Sequence, residues 1–177
     1  MNIKKHLTEI ALQNNILNKS MQFPDCEIDL QKIKVIMVNE VVPKNPDDWF
    51  YSEAPDPENR RNALGLFEGA GIPVKSMYDI LDLGIYITAA LKTPKEGYNP
   101  DPDVIKAHLP ILESEITMFP NLKIIMLMGD VAIKAFNMIA KAKTKKNVCP
   151  TGAAGRRRHW NNENFFGATS VFFHPTL

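Results

Sequence analysis

Four short runs of β-branched and large apolar residues are separated by stretches with helical spacing: Ile33 to Asn39 (IKVIMVN), Gly84 to Thr88 (GIYIT), Lys123 to Met128 (KIIMLM) and Gly167 to Phe173 (GATSVFF). Such runs carry apolar side chains on both faces, so each needs cover above and below, as strands have inside a parallel sheet. Parallel neighbours need crossovers of a dozen or more residues, which the intervening helical stretches supply with the usual right-handed sense. The alternation predicts an α/β domain with a mostly parallel four-stranded sheet and helices on both faces. Ligands of such sheets collect at the carboxyl ends of the strands. Here those ends carry Asn39-Glu40, Thr88-Ala89, Gly129-Asp130 and His174.

Between the strands, Asn2 to Leu17 has apolar residues at near-helical spacing. Glu58 to Gly71 reads as a helix closed by glycines, and Ser76 to Leu81 as a shorter one. Asp103 to Phe119 is helical in period, with Pro110 either starting a new helix or kinking it. Asp130 follows the third strand, where its side chain is placed to cap a helix running to about Lys143. Pro43 to Pro57 holds four prolines, three aspartates and the cluster Trp49-Phe50-Tyr51, and reads as an ordered functional loop. The segment from Asn147 to Asn162 is loop-like.

A chain of 177 residues buries roughly 70% of its unfolded surface, enough for one domain spanning residues 1–177 without staples. The two cysteines, Cys26 and Cys149, make no C-x-x-C motif and too few ligands for an iron–sulfur cluster. With no secretory signal they read as reduced thiols of a cytoplasmic protein. No apolar run approaches the roughly 20 residues of a membrane span, so no membrane partner is expected. Net charge is +1, but the stretch between Asp130 and Glu163 has no acid and carries Lys134, Lys141, Lys143, Lys145, Lys146, Arg156, Arg157 and Arg158. That local excess is either a solvated face or a surface for an anion.

The chemistry is narrowed by what is missing. There is no G-x-G-x-x-G and no Walker loop, no pair among the four histidines at metal-ligand spacing, and no serine at a strand-to-helix elbow. No cofactor and no metal are expected. What remains is a carboxylate, Glu40, and an imidazole, His174, each at a strand end. A carboxylate can position or deprotonate water, and an imidazole can stabilise a leaving group that gains negative charge, a pairing suited to cleaving a base from its sugar. The aromatic cluster after Glu40 would give such a base a face to stack on, or else plug the sheet edge.

These motifs, in this order, resemble the uracil-DNA glycosylase superfamily, in its uncharacterised branch near the iron–sulfur type. VIMVNEVVPKNPDDWFYS is similar to that family's first motif, a strand followed by Gly-Glu-Ala-Pro or Ser-Glu-Ala-Pro and an aromatic. LDLGIYITAALKTPK is similar to its Val-Tyr-Ile-Thr-Asn-x-x-Lys-Cys segment. IKAHLPILESEITMFPNLKIIMLMGDVAIKAF resembles its leucine- and glutamate-bearing helix and the strand with a Gly-x-x-Ala turn, and VFFHPT its closing His-Pro-Ser. The resemblance implies a three-layer α/β/α sandwich around a central four-stranded parallel sheet. It further implies a monomer acting on DNA that contains a damaged base, in base-excision repair. Glu40 would position water, Phe50 or Tyr51 would stack on the base, and His174 would stabilise the departing anion. Gly129 and Asp130, opening a helix, would meet a DNA phosphate, with Lys143, Lys145, Lys146, Arg156, Arg157 and Arg158 neutralising its neighbours.

Three departures accompany the resemblance. Ala89 stands where the family carries the asparagine that reads the base, leaving Asn39 as the nearest substitute. Thr93 replaces the cysteine, and the N-terminal cysteine pair is missing, consistent with no cluster. The given chain stops at Leu177, where the family continues with a DNA-penetrating loop and a closing helix, so it is either truncated or lacks that wedge. The rival expectations are a member that binds nucleic acid or a free base without cleaving it, and a hydrolase of small nucleosides.

Overall fold

A computed structural model describes residues 1–97, 99–145, 149 and 170–173, with backbone alone for 144 and 170–173. The elements follow as α1 (Ile3–Gln13), β1 (Val35–Val41), α2 (Glu58–Gly69), α3 (Met77–Asp82), β2 (Ile85–Leu91), α4 (Pro102–Thr117), β3 (Ile124–Met128), α5 (Asp130–Thr144) and β4 (Ser170–Phe173), with a 3₁₀ turn at Pro46–Asp48. Pro110 neither starts nor ends a helix, since α4 runs through it. Ser76 opens α3 with a reciprocal cap, its hydroxyl taking the Asp79 N–H while the Asp79 carboxylate takes the Ser76 N–H.

The chain is an α/β protein whose β1, β2 and β3 form an open parallel sheet in the order β2-β1-β3. Central β1 pairs along both edges, Val35 with Ile85 on one side and with Ile124 on the other. Alternate residues divide the core as a period of two dictates. Ile36, Val38, Tyr86, Ile125 and Leu127 face a cluster with Ile3 and Leu7 of α1, Ile111 and Leu112 of α4, and Val131 and Ala135 of α5. Met37, Ile87, Ala89 and Met126 face a second cluster with Trp49, Phe50, Ala63 and Phe67 of α2, and Met77 and Ile80 of α3.

The fourth strand corrects the expectation of four parallel strands. β4 pairs antiparallel with β3, Ser170 opposite Leu127 and Phe173 opposite Ile124. Its last residue therefore lies at the amino end of β3, away from the rim that carries Glu40, and the strand does not lead the chain toward that rim. Nothing in a short apolar run distinguishes the two directions, because its side chains alternate equally in either.

Candidate functional site

Glu40 is the sixth residue of β1, one position past Asn39, which pairs with both Ala89 and Met128. This level brings it to the turn between β3 and α5. Its Oε1 accepts the Val131 N–H at 3.1 Å, and its Oε2 accepts from Lys95 Nζ at 3.1 Å. The carboxylate caps α5 from outside the helix, a position that the positive helix terminus favours. The expected capping by Asp130 is corrected: Gly129 is the N-cap, no side chain of its own helix caps it, and Asp130 is the first helical residue. Gly129 adopts φ +129°, and a Cβ there would overlap the Glu40 side chain.

Glu40 and Lys95 side chains are 29% and 27% exposed, so the pair sits half in water. Among the described residues each carboxylate oxygen has one hydrogen-bond donor, which leaves acceptor capacity for a water molecule. The same arrangement bears on the expected phosphate site at Gly129 and Asp130. The Val131 N–H is already taken by Glu40, and a phosphate arriving there meets the Glu40 and Asp130 carboxylates.

The other expected base-binding residues are spread differently. Asn39 donates its amide N–H to the Thr88 carbonyl at 3.3 Å, tying it to β2. Ala89 is wholly buried in the second cluster. Trp49 and Phe50 pack together, ring centroids 4.9 Å apart, in that cluster. Tyr51 donates its hydroxyl to the Ile87 carbonyl at 3.0 Å, and burial holds its phenol well above the usual range. Phe50 and Tyr51 do line a cleft of about 870 Å³ beside Gln22, Trp49, Arg60 and Lys75. A second cleft of about 860 Å³, lined by Lys19, Lys44, Thr93, Lys95 and Asp101, lies next to Glu40 through Lys95. The two share no lining residue, so the aromatic segment and the Glu40 ion pair border different hollows.

No family model matches the chain, and no curated protein matches it.

Of the basic residues expected beside a DNA phosphate, Lys143 and Lys145 are described, and neither lies at the Glu40 rim. Helix α5 starts beside Glu40 and advances about 1.5 Å per residue, which puts its last turn about 20 Å away. Lys143 pairs there with Glu113 of α4 at 2.8 Å, and Lys145, exposed, is the C-cap in a left-handed conformation. Lys146, Arg156, Arg157, Arg158 and His174 lie outside the described residues, as does Trp160. Among the described residues no group of three His, Cys, Asp or Glu side chains could hold a metal ion, and no helix is long and apolar enough to cross a membrane.

A group that the sequence reading passed over lies directly beneath the β2 rim. Lys92 Nζ donates to Glu115 Oε2 at 2.6 Å, to Thr88 Oγ1 at 2.6 Å and to the Ala89 carbonyl at 2.7 Å. Glu115 Oε1 accepts from the Tyr86 and Thr88 hydroxyls, both at 2.7 Å. Both charged side chains are fully buried, and desolvation lowers the Lys92 ammonium against the pull of Glu115. The signal was present in α4, where Glu115 interrupts the apolar stripe of Ile105, Ile111, Leu112 and Ile116. A carboxylate on a buried helix face implies a cation opposite it.

Proposed function

We propose that the chain is an N-glycosylase of the uracil-DNA glycosylase type, a three-layer α/β/α sandwich that hydrolyses the bond between deoxyribose and a flipped, damaged base. The observation that carries this reading is the fixed carboxylate of Glu40 at the carboxyl rim of the parallel sheet, oriented by the Val131 N–H and Lys95 Nζ. As the sugar–base bond breaks, positive charge grows on the sugar. Glu40 opposes that charge and orients the water that attacks it. The base leaves as an anion and takes up the proton that the attacking water releases. His174 follows β4, whose last residue lies at the end of the sheet opposite Glu40, and has no step in this scheme. No cofactor enters the scheme.

The test incubates the protein with oligonucleotides carrying uracil, hypoxanthine or a G·T mismatch and reveals abasic sites with alkali. Release of a base, with a fall of about 100-fold or more in Glu40→Gln at unchanged DNA affinity, is the expected result. Base release that survives Glu40→Gln, or no release from any of these substrates, overturns it.

A second reading, binding of nucleic acid or a free base without cleavage, is favoured by Ala89. That residue is buried and apolar, and the nearby Asn39 amide already donates to the Thr88 carbonyl. A site without a base-reading amide loses discrimination by orders of magnitude. DNA binding that weakens with salt, with no base release, would select this reading.

A further inference from the structure

Lys92 and Glu115, both with fully buried side chains, take no part in the chemistry proposed for Glu40. Stability alone does not account for them, since an apolar pair of similar volume often serves a core equally well. What an ion pair adds is direction. An ammonium has three N–H donors, and three acceptors meet this one: Glu115 Oε2 of α4, and the Thr88 hydroxyl and Ala89 carbonyl of β2. The main chain of Lys92 is tied as well, its carbonyl accepting the Gln22 N–H at 2.8 Å. One residue earlier, the Leu91 carbonyl accepts the Val42 N–H at 3.2 Å. The point at which the chain leaves β2 is therefore held by α4, by β2 itself, by the residue after β1 and by the segment between α1 and β1.

From that point the path to Glu40 is short and stiff. Lys95 is three residues beyond Lys92, so no more than about 11 Å separates their Cα atoms. Pro94 fixes its own φ and confines Thr93 to extended conformations. The Thr93 hydroxyl also lies 3.5 Å from His108 Nε2 of α4. Lys95 Nζ then donates to Glu40 Oε2 at 3.1 Å, while Glu40 Oε1 accepts the Val131 N–H.

We propose that the buried Lys92–Glu115 pair is a positioning device: by fixing where the chain leaves β2, it delivers Lys95 to Glu40 and keeps the carboxylate on the Val131 N–H. The proposal rests on the reading of Glu40 as the reacting carboxylate. It adds a positioning role for two residues that are themselves shut away from any substrate.

The experiment reads Glu40 through Val131. That N–H stands in the first turn of α5, where no carbonyl of its own helix accepts it, so its protection from hydrogen exchange depends on Glu40. The nearby Ile133 N–H donates to the Gly129 carbonyl and serves as the internal control. Exchange is followed by NMR of the ¹⁵N-labelled full chain in Lys95→Met, in the triple variant Lys92→Met, Glu115→Leu, Tyr86→Phe, and in the two combined. Val131 should exchange at least about fivefold faster in Lys95→Met and in the triple variant, with Ile133 unchanged. The combination should add nothing to Lys95→Met, because the pair acts through Lys95. Val131 protection that survives Lys95→Met or the triple variant, an equal rise at Ile133, or a further rise in the combination overturns the proposal. Should the triple variant fail to fold, Pro94→Gly loosens the link outside the core, and faster exchange at Val131 but not at Ile133 is again required. None of these readings needs base release. A chain that releases no base refutes the glycosylase reading, while the exchange comparison still decides the positioning.

Discussion

Gly129 and Glu40 compete for one space: a Cβ built on Gly129 would fall 2.5 Å from Glu40 Cγ and 2.6 Å from its Oε1. The carboxylate can reach the Val131 N–H because the residue at the head of α5 has no side chain. The same residue holds φ +129°, a region that L side chains rarely adopt. Two independent costs therefore meet at one position.

Gly129→Ala is expected to destabilise the protein by about 2 kcal/mol or more, combining backbone strain with displacement of Glu40. In a Glu40→Gly background the steric part disappears while the strain remains, so the same substitution should cost measurably less. Urea unfolding of the four proteins reads the coupling directly, and strict additivity would disprove the contact.

Lys92→Met strands the Glu115 carboxylate in the core and is expected to cost about 3–5 kcal/mol. Replacing only the two charged partners would still leave the Tyr86 and Thr88 hydroxyls short of acceptors. The triple variant Lys92→Met, Glu115→Leu, Tyr86→Phe should therefore be more stable than Lys92→Met alone, although it carries more changes. Equal or greater loss in the triple variant, measured by urea unfolding, would show that packing rather than charge governs this spot.

His108 supplies a pH signature. Burial lowers its imidazole below the ordinary value of 6.5, an effect to which the Lys92 charge adds and which the Val104 carbonyl partly offsets. The folded protein thus binds this proton more weakly than the unfolded chain does. Its contribution is complete above pH 6.5 and is lost as the pH falls below 6.5 toward and through the folded value. Unfolding midpoints should fall between about pH 7 and pH 5, and His108→Gln should flatten that slope. An unchanged slope in the variant would assign the acid sensitivity elsewhere.

The order of elements was legible because the strand runs are apolar on both faces and the helices repeat at 3.6 residues. Glu40 was found for the same reason, since it closes the first of those runs. Its partners were not: Lys95 lies in a Pro/Gly loop, and nothing local announces that the Val131 N–H will meet a side chain from β1. The basic residues of α5 were misplaced because closeness in sequence to Gly129 conceals the length of a helix that carries them away. The direction of β4 escaped because period-two alternation has no polarity.

Central β1 has a consequence for biosynthesis. Its neighbours Ile85 and Ile124 come far later in the chain, so β1 leaves the ribosome with both edges unpaired. At roughly 5–20 residues per second it waits several seconds for the first neighbour and longer for the second. During that interval the apolar segment around Val35 to Val38 is the part of the nascent chain most open to aggregation, and the one a chaperone would best shield.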